Sequence, residues 1–418
     1  MAIKDTQELR KVLDRTLAGT PITDIHTHLY APCFGDLLLW GIDELLTYHY
    51  LVAEFFRQSD MAYEAFWNLS RREQADAIWK TLFIDHSPYS EACRGVVTIL
   101  QALGLDVGRR DLASYRKFFA AQSRDAYIDL VFKKAGIRDC VMTNDPFDDA
   151  ERAVWLKGVV PDDRFKTALR IDPLLLGWEK SWKRLRGWGY KVERRLTPKC
   201  VREARRFLRE WAKRTGALYV GVSLPPTFTM PEKSETGLML DRVLLPVCEE
   251  LNLPLALMIG VKRQVNPQLR LAGDGVGRGN VEAVEHLCAA WPKNKFMVTM
   301  LSRENQHQIC VTARKFRNLL PFGCWWFVNN PSIIEEITRE RFELLGTSVI
   351  PQHSDARVLD QVIYKWSHSK RIIGGVLLEK YADLMVSGWA LEEREVKRDV
   401  DGLFGGTFWA FLASKLHA

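Results

Sequence analysis

The stretch ITDIHTHL at residues 22–29 decides how the rest of the chain is read. It reads as a short strand, and on a strand residues two apart project to the same side. His26 and His28 therefore present two imidazoles to one point. Far along the chain, IPQHSDAR at 350–357 follows another apolar run and offers Asp355, a carboxylate able to complete a set of two nitrogens and one oxygen around a single ion. A His-x-His pair alone is weak, because nine histidines in 418 residues give roughly 0.2 such pairs by chance. Its weight depends on whether the fold brings the two ends of the chain together.

Eight short apolar runs read as strands, at Ile22–His28, Asp139–Asn144, Thr167–Asp172, Leu218–Ser223, Leu255–Gly260, Phe296–Leu301, Pro321–Trp326 and Gly346–Gln352. Helix-period segments lie between them: Pro198–Arg214 behind Thr197, Gly237–Leu251, Val281–Ala290 behind Asn280, and Ile333–Leu345, where Ser332 and Glu335 have capping-box spacing. Strand followed by helix, repeated, means a parallel sheet with crossovers. Eight such units close most economically into an α/β fold of the (β/α)8 TIM-like barrel type. The interval between the first two strands is too long for one crossover. Its residues, about 30–137, read as helices inserted as a cap over the barrel mouth, and about 358–418 read as C-terminal helices packed outside the barrel. A single domain, 1–418, is expected.

Composition sets the outer bounds. With 47% hydrophobic and 27% charged residues the chain lies in the globular range. A formal charge of +7 is modest, and Lys180 to Arg195, interleaved with Trp182, Trp188 and Tyr190, reads as a solvated face over packed rings. Nucleic acid is not an expected partner, whereas an anionic small molecule is. The eight cysteines stand singly, which suits reduced thiols in a cytoplasmic protein, and no apolar segment is long enough to span a membrane. Self-association is left open.

In a barrel of this type reactive groups sit at the C-terminal strand ends and in the loops beyond. His26 and His28 end the first strand and Asp355 follows the last, and those strands are neighbours once the barrel closes. Two imidazoles and a carboxylate with one open position suit catalytic Zn2+, with Mn2+, Co2+ or Fe2+ as alternatives. Arg170 and Arg357 can aim guanidiniums at the same mouth to pair with a carboxylate, or brace Asp172 and Asp355 instead; Arg303 is a third candidate. Trp325 and Trp326 are read as ending strand seven, so one should face the substrate and the other the helices. Leu271 to Asn280, rich in glycine, reads as a mobile loop after strand five, a candidate lid rather than a phosphate loop.

Six stretches carry a resemblance: DIHTHL at 24–29, TYHY at 47–50, ALRIDPL at 168–174, TMLSREN at 299–305, FGCWWFVNNP at 322–331 and HSDAR at 353–357. Over essentially its whole length the chain resembles the uronate isomerase (glucuronate isomerase) family of the amidohydrolase superfamily. The two-metal hydrolases of that superfamily carry further ligands after strands four to six. Here VSLPPT, MIGVKR and the residues before His307 place none at the strand ends, so one metal is expected. The resemblance implies metal-dependent interconversion of D-glucuronate with D-fructuronate and of D-galacturonate with D-tagaturonate, through ring opening and C2–C1 proton transfer. It implies Asp355 as ligand and base, Tyr50 and His49 as an active-site pair with Tyr50 carrying the proton, and Trp325 as the substrate contact. The alternatives are a one-metal hydrolase of an acidic amide or lactone, and a non-catalytic sugar-acid binder.

Overall fold

A computed structural model describes residues 2–416; Met1, His417 and Ala418, included in the expected domain, lie outside the described residues. Seven parallel strands follow one another around a curled sheet in chain order: β1 (Ile22–Thr27), β2 (Ile137–Asn144), β3 (Phe165–Arg170), β4 (Val220–Leu224), β5 (Leu255–Ile259), β6 (Phe296–Met300) and β7 (Leu319–Pro321). Alternation along the strands sorts their side chains into two cores. Ile25, Val141, Ala168, Tyr219, Ala256, Met297 and Leu320 form an inner cluster, while residues such as Met142, Leu169, Leu257 and Val298 join the outer cluster with the helices.

The seventh and eighth strands depart from the reading of the sequence. Strand seven ends at Pro321, because Gly323 (φ +64°) and Trp326 (φ +48°) take the chain out of the extended region. The run Gly346–Gln352 forms no strand: Pro351 lacks an N–H to give to a ladder, and a single bridge pairs Phe322 with Ile350. This segment nevertheless occupies the eighth position. Gly323 N donates to Ile350 O (2.8 Å), Asp355 N to His26 O (3.1 Å) and His28 N to Ala356 O (2.8 Å). Isolated hydrogen bonds, not a continuous ladder, bridge the last stave to the first.

Between β1 and β2 the chain is helical, including His49–Gln58, Glu91–Ala102 and Arg124–Ala135. The Ser332 capping box does not form; that helix starts at Pro331, behind Asn330. The Pro198 helix has Thr197 as its cap, accepting from Cys200 N, and ends on left-handed Gly216. At the C-terminus, the helix Gln361–Val386 packs against Glu91–Ala102, Arg124–Ala135, Thr6–Gly19 and Pro331–Leu345. The helix Thr407–Ala413 does not lie outside the barrel as expected. Phe408, fully buried, belongs to the inner cluster and meets Tyr219 at 6.3 Å. Lys295 Nζ, preceding β6, holds this helix by donating to the carbonyls of Phe411, Leu412 and Ser414. All eight cysteines are free, and no helix among the described residues is long and apolar enough to cross a membrane.

Candidate metal and substrate site

His26 at the end of β1, His28 just beyond it and Asp355 in the eighth stave meet at the C-terminal mouth of the sheet. Nε2 of His26 lies 3.6 Å and Nε2 of His28 3.3 Å from Asp355 Oδ1, and one donor atom from each lies within 4.8 Å of the others. The far nitrogens decide the tautomers. Tyr219 Oη donates to Ile25 O (2.9 Å), so its oxygen accepts from His26 Nδ1–H at 3.0 Å. Thr143 Oγ1 donates to Thr27 O (3.0 Å) and accepts from His28 Nδ1–H at 3.0 Å. Both Nε2 lone pairs are thereby turned toward Asp355.

The electrostatics agree. Burial pushes His26 down to about 3 and His28 well below the usual histidine range, so both are neutral, as ligands must be. His26 Nε2 and Asp355 Oδ1 are buried with no hydrogen-bond partner. Unsatisfied buried polar atoms are costly, and a divalent cation is what two imidazole nitrogens and a carboxylate oxygen would satisfy together.

Behind the ligands, Asp24 accepts from Ser354 N (3.0 Å) and Trp366 Nε1 (2.8 Å), tying β1 to the last stave and the C-terminal helix. Burial pushes its carboxyl up to about 6. His353 packs its ring where a Cβ on Gly323 would lie 1.7 Å from Nδ1, so only glycine fits there.

Around the ligands is a cavity of about 30 Å3 faced by Arg170, Arg263, Arg357, Trp325 and Trp326. Arg170 is held by Asp172 at 2.9 and 3.1 Å; burial opposes its charge, and Asp172 more than offsets that. Arg263 pairs with Asp274 at 2.6 Å. The Arg357 guanidinium has no carboxylate within ion-pair distance among the described residues, although the backbone beneath it is fastened, with Arg357 N donating to Gln361 Oε1 at 2.9 Å. The mouth therefore combines a metal-type donor set with one unpaired, planar cation suited to a carboxylate.

No family model and no curated protein matches the chain. Among solved structures, a uronate isomerase from Bacillus halodurans is 55% identical, with a TM-score of 0.98, covering 100% of this chain and 99% of that one. The chain belongs to the uronate isomerase family. A uronate isomerase from Thermotoga maritima (16% identity, TM-score 0.78, 96% and 97% coverage) and a glucuronate isomerase from Caulobacter crescentus (15%, 0.76, 97% and 94%) share its fold.

Residues expected at the site of this family member fall into three groups. His28, Asp355, His49, Arg170, Arg357 and both tryptophans line one cavity, and His26 joins them through its place beside His28 and Asp355. Trp325 and Trp326 both face the cavity, because they sit in a turn where strand alternation does not apply. Tyr50 follows His49 on the cap helix, its ring 4.7 Å away, and lines an adjoining cavity of about 230 Å3. Burial pushes its phenol well above the usual tyrosine range. Arg303 is not brought in: it is solvent-exposed and paired bidentately with Glu336.

Sequence reasoning missed Tyr219, Thr143 and Arg263. Arg263 lies four residues beyond the end of β5, in the loop at the reactive end of the barrel, a position that could have flagged it. Tyr219 and Thr143 gave no signal, since their roles depend on which strands lie side by side.

Proposed function

We propose that this uronate isomerase interconverts D-glucuronate with D-fructuronate, and D-galacturonate with D-tagaturonate, using one divalent cation held by His26, His28 and Asp355. The observation that carries the reading is the meeting at one barrel mouth of that donor set with the unpaired guanidinium of Arg357. Zn2+ suits two neutral imidazoles and a carboxylate, and when bound supplies Lewis-acid stabilisation of negative charge on substrate oxygens.

The chain's own residues do the rest. Arg357 offers parallel N–H donors to the C6 carboxylate, the group that separates a uronate from a neutral sugar. Arg170, already committed to Asp172, contributes mainly positive field. Asp355 takes the hydroxyl proton whose loss opens the ring. Tyr50 moves the proton between C2 and C1. Burial and the neighbouring Asp355 and Glu91 carboxylates raise its phenol, so the step needs the phenolate, formed by loss of the phenol proton to solvent, and a bound cation would favour that form. Trp325 and Trp326 wall the cavity, and His49, 5.6 Å from Trp326, closes it from the cap side.

The test is incubation of zinc-loaded protein with D-glucuronate, with a coupled reductase consuming the keto-acid. Turnover that a chelator abolishes is expected; none with metal present would sink the proposal. Run in deuterated water, the reaction should place deuterium at the migrating position. Complete retention of the substrate hydrogen would count against the enediol route.

A further inference from the structure

The inner cavity, at about 30 Å3, has room for roughly two waters, far less than a hexuronate occupies. Two larger spaces adjoin it, and all three share His49. One, about 230 Å3, is faced by Tyr50, Glu54 and Glu91; the other, about 300 Å3, by Trp67, Arg71, Arg270 and Arg357. Both are large enough to receive a sugar acid, so the sign of the charge decides between them.

On the first side, Glu91 is paired with Lys365 at 3.1 Å, while among the described residues Glu54 accepts only from Ser90 Oγ (2.6 Å) and Cys93 Sγ (3.3 Å) and has no cation within ion-pair distance. On the second, Arg71 is neutralised by Glu44 at 2.6 Å, but neither Arg270 nor Arg357 has a carboxylate within ion-pair distance among the described residues. An anion is repelled by the first space and attracted by the second.

Arg270 is also presented for binding. Its guanidinium lies over the Trp67 ring at 4.4 Å, and Trp67 Nε1 donates to Gln268 O at 2.8 Å, so the cap pins the turn that carries it. A guanidinium held over an aromatic ring by cation–π attraction still has N–H donors to offer a carboxylate. The backbone at Arg270 adopts φ +55°, ψ −124°, a conformation non-glycine residues seldom take.

We propose that the space between the cap and the turn Pro267–Gly273 is a carboxylate-binding vestibule, in which a uronate first meets Arg270 and then moves to Arg357, which faces both the vestibule and the inner cavity. This rests on the isomerase reading above.

The test is stopped-flow binding of D-gluconate, a hexonate with no carbonyl to isomerise, to zinc-loaded protein over a range of ionic strengths. Tryptophan fluorescence, with Trp325 and Trp326 at the inner site, is the signal. Arg270→Gln should lower the association rate constant by roughly three- to tenfold at low salt and flatten its salt dependence. Arg270→Lys should restore most of the salt dependence, which a merely structural role for Arg270 would not produce. Glu54→Gln should not slow association. An unchanged rate and salt slope in Arg270→Gln, slowing in Glu54→Gln, or no saturable gluconate binding by the unmodified protein would each overturn the vestibule. Failure of the isomerase reading would show separately, as absence of D-glucuronate turnover in the unmodified protein.

Discussion

The hydroxyls of Tyr219 and Thr143 each use their single proton on a backbone carbonyl and so can only accept from the histidine they face. Tyr219→Phe should therefore release the His26 tautomer and weaken divalent-metal binding roughly 10- to 100-fold while the protein stays folded. Competition with a chromogenic chelator measures it, and unchanged affinity would remove the hydroxyl from its assigned role. The arginines separate in the same way. Among the described residues Arg357 has no carboxylate within ion-pair distance, whereas Arg303 spends its fork on Glu336 at the surface. Arg357→Lys keeps the charge but loses the paired donors, so KM for D-glucuronate should rise by about tenfold or more, a charge-assisted hydrogen bond being worth ~1.5–3 kcal/mol. Arg303→Ala should leave KM within about twofold. Steady-state kinetics on the two variants decides, and a large effect from Arg303→Ala would contradict its placement. His26 and His28 were legible in the sequence because residues two apart on a strand share a face, and Asp355 because it is a carboxylate just past a late apolar run. The partners that orient them were not, because Tyr219 lies 193 residues from His26.

At the scale of the element, the end of β2 and the helix Asp149–Leu156 are joined by one buried carboxyl. Glu151 accepts from Tyr30 Oη (2.7 Å), Asn144 Nδ2 (3.0 Å) and Asp145 N (3.0 Å), yet burial still pushes it up to about 7. An acid raised in the folded state binds its proton more tightly there than when unfolded. Stability from this group is thus greatest below the ordinary value of 4.5 and is lost as pH rises toward 7. The loss is about 3 kcal/mol, and Glu151→Gln should remove that part of the slope while leaving what Asp24, also raised, contributes. Denaturant unfolding at pH 5 and at pH 7.5 measures the difference, and an equal slope in both proteins would disprove it. Element boundaries show where local reading fails. The run Gly346–Gln352 has a strand's composition, but Pro351 cannot donate and Asp355 turns left-handed at φ +52°. The eighth stave is held by its neighbours, not by a ladder of its own. The expected capping box at Ser332 lost to Pro331, which suits the first helical position and starts the helix earlier.

At the scale of the whole molecule, the C-terminal part of the chain meets the curled sheet at two places. Asp355 reaches β1 at the reactive mouth, and Phe408 plugs the inner core against Tyr219, the residue that orients His26. Phe408→Ala should cost about 3 to 5 kcal/mol and weaken metal binding less than Tyr219→Phe does. Denaturant melts and the chelator titration together check both, and a stability loss below about 1 kcal/mol would mean the plug is dispensable. By itself the sequence determined that strands and helices alternate, that the long interval after the first strand is helical, and that two histidines and a late aspartate are the ligand candidates. Those are consequences of periodicity and residue chemistry along a short stretch of chain. Only the tertiary structure decided which hydroxyls set the tautomers, that both tryptophans face the cavity, that Arg303 stands apart, and that the last helix enters the barrel. Each of these depends on which distant segments become neighbours when the sheet curls, and local pattern holds no record of that.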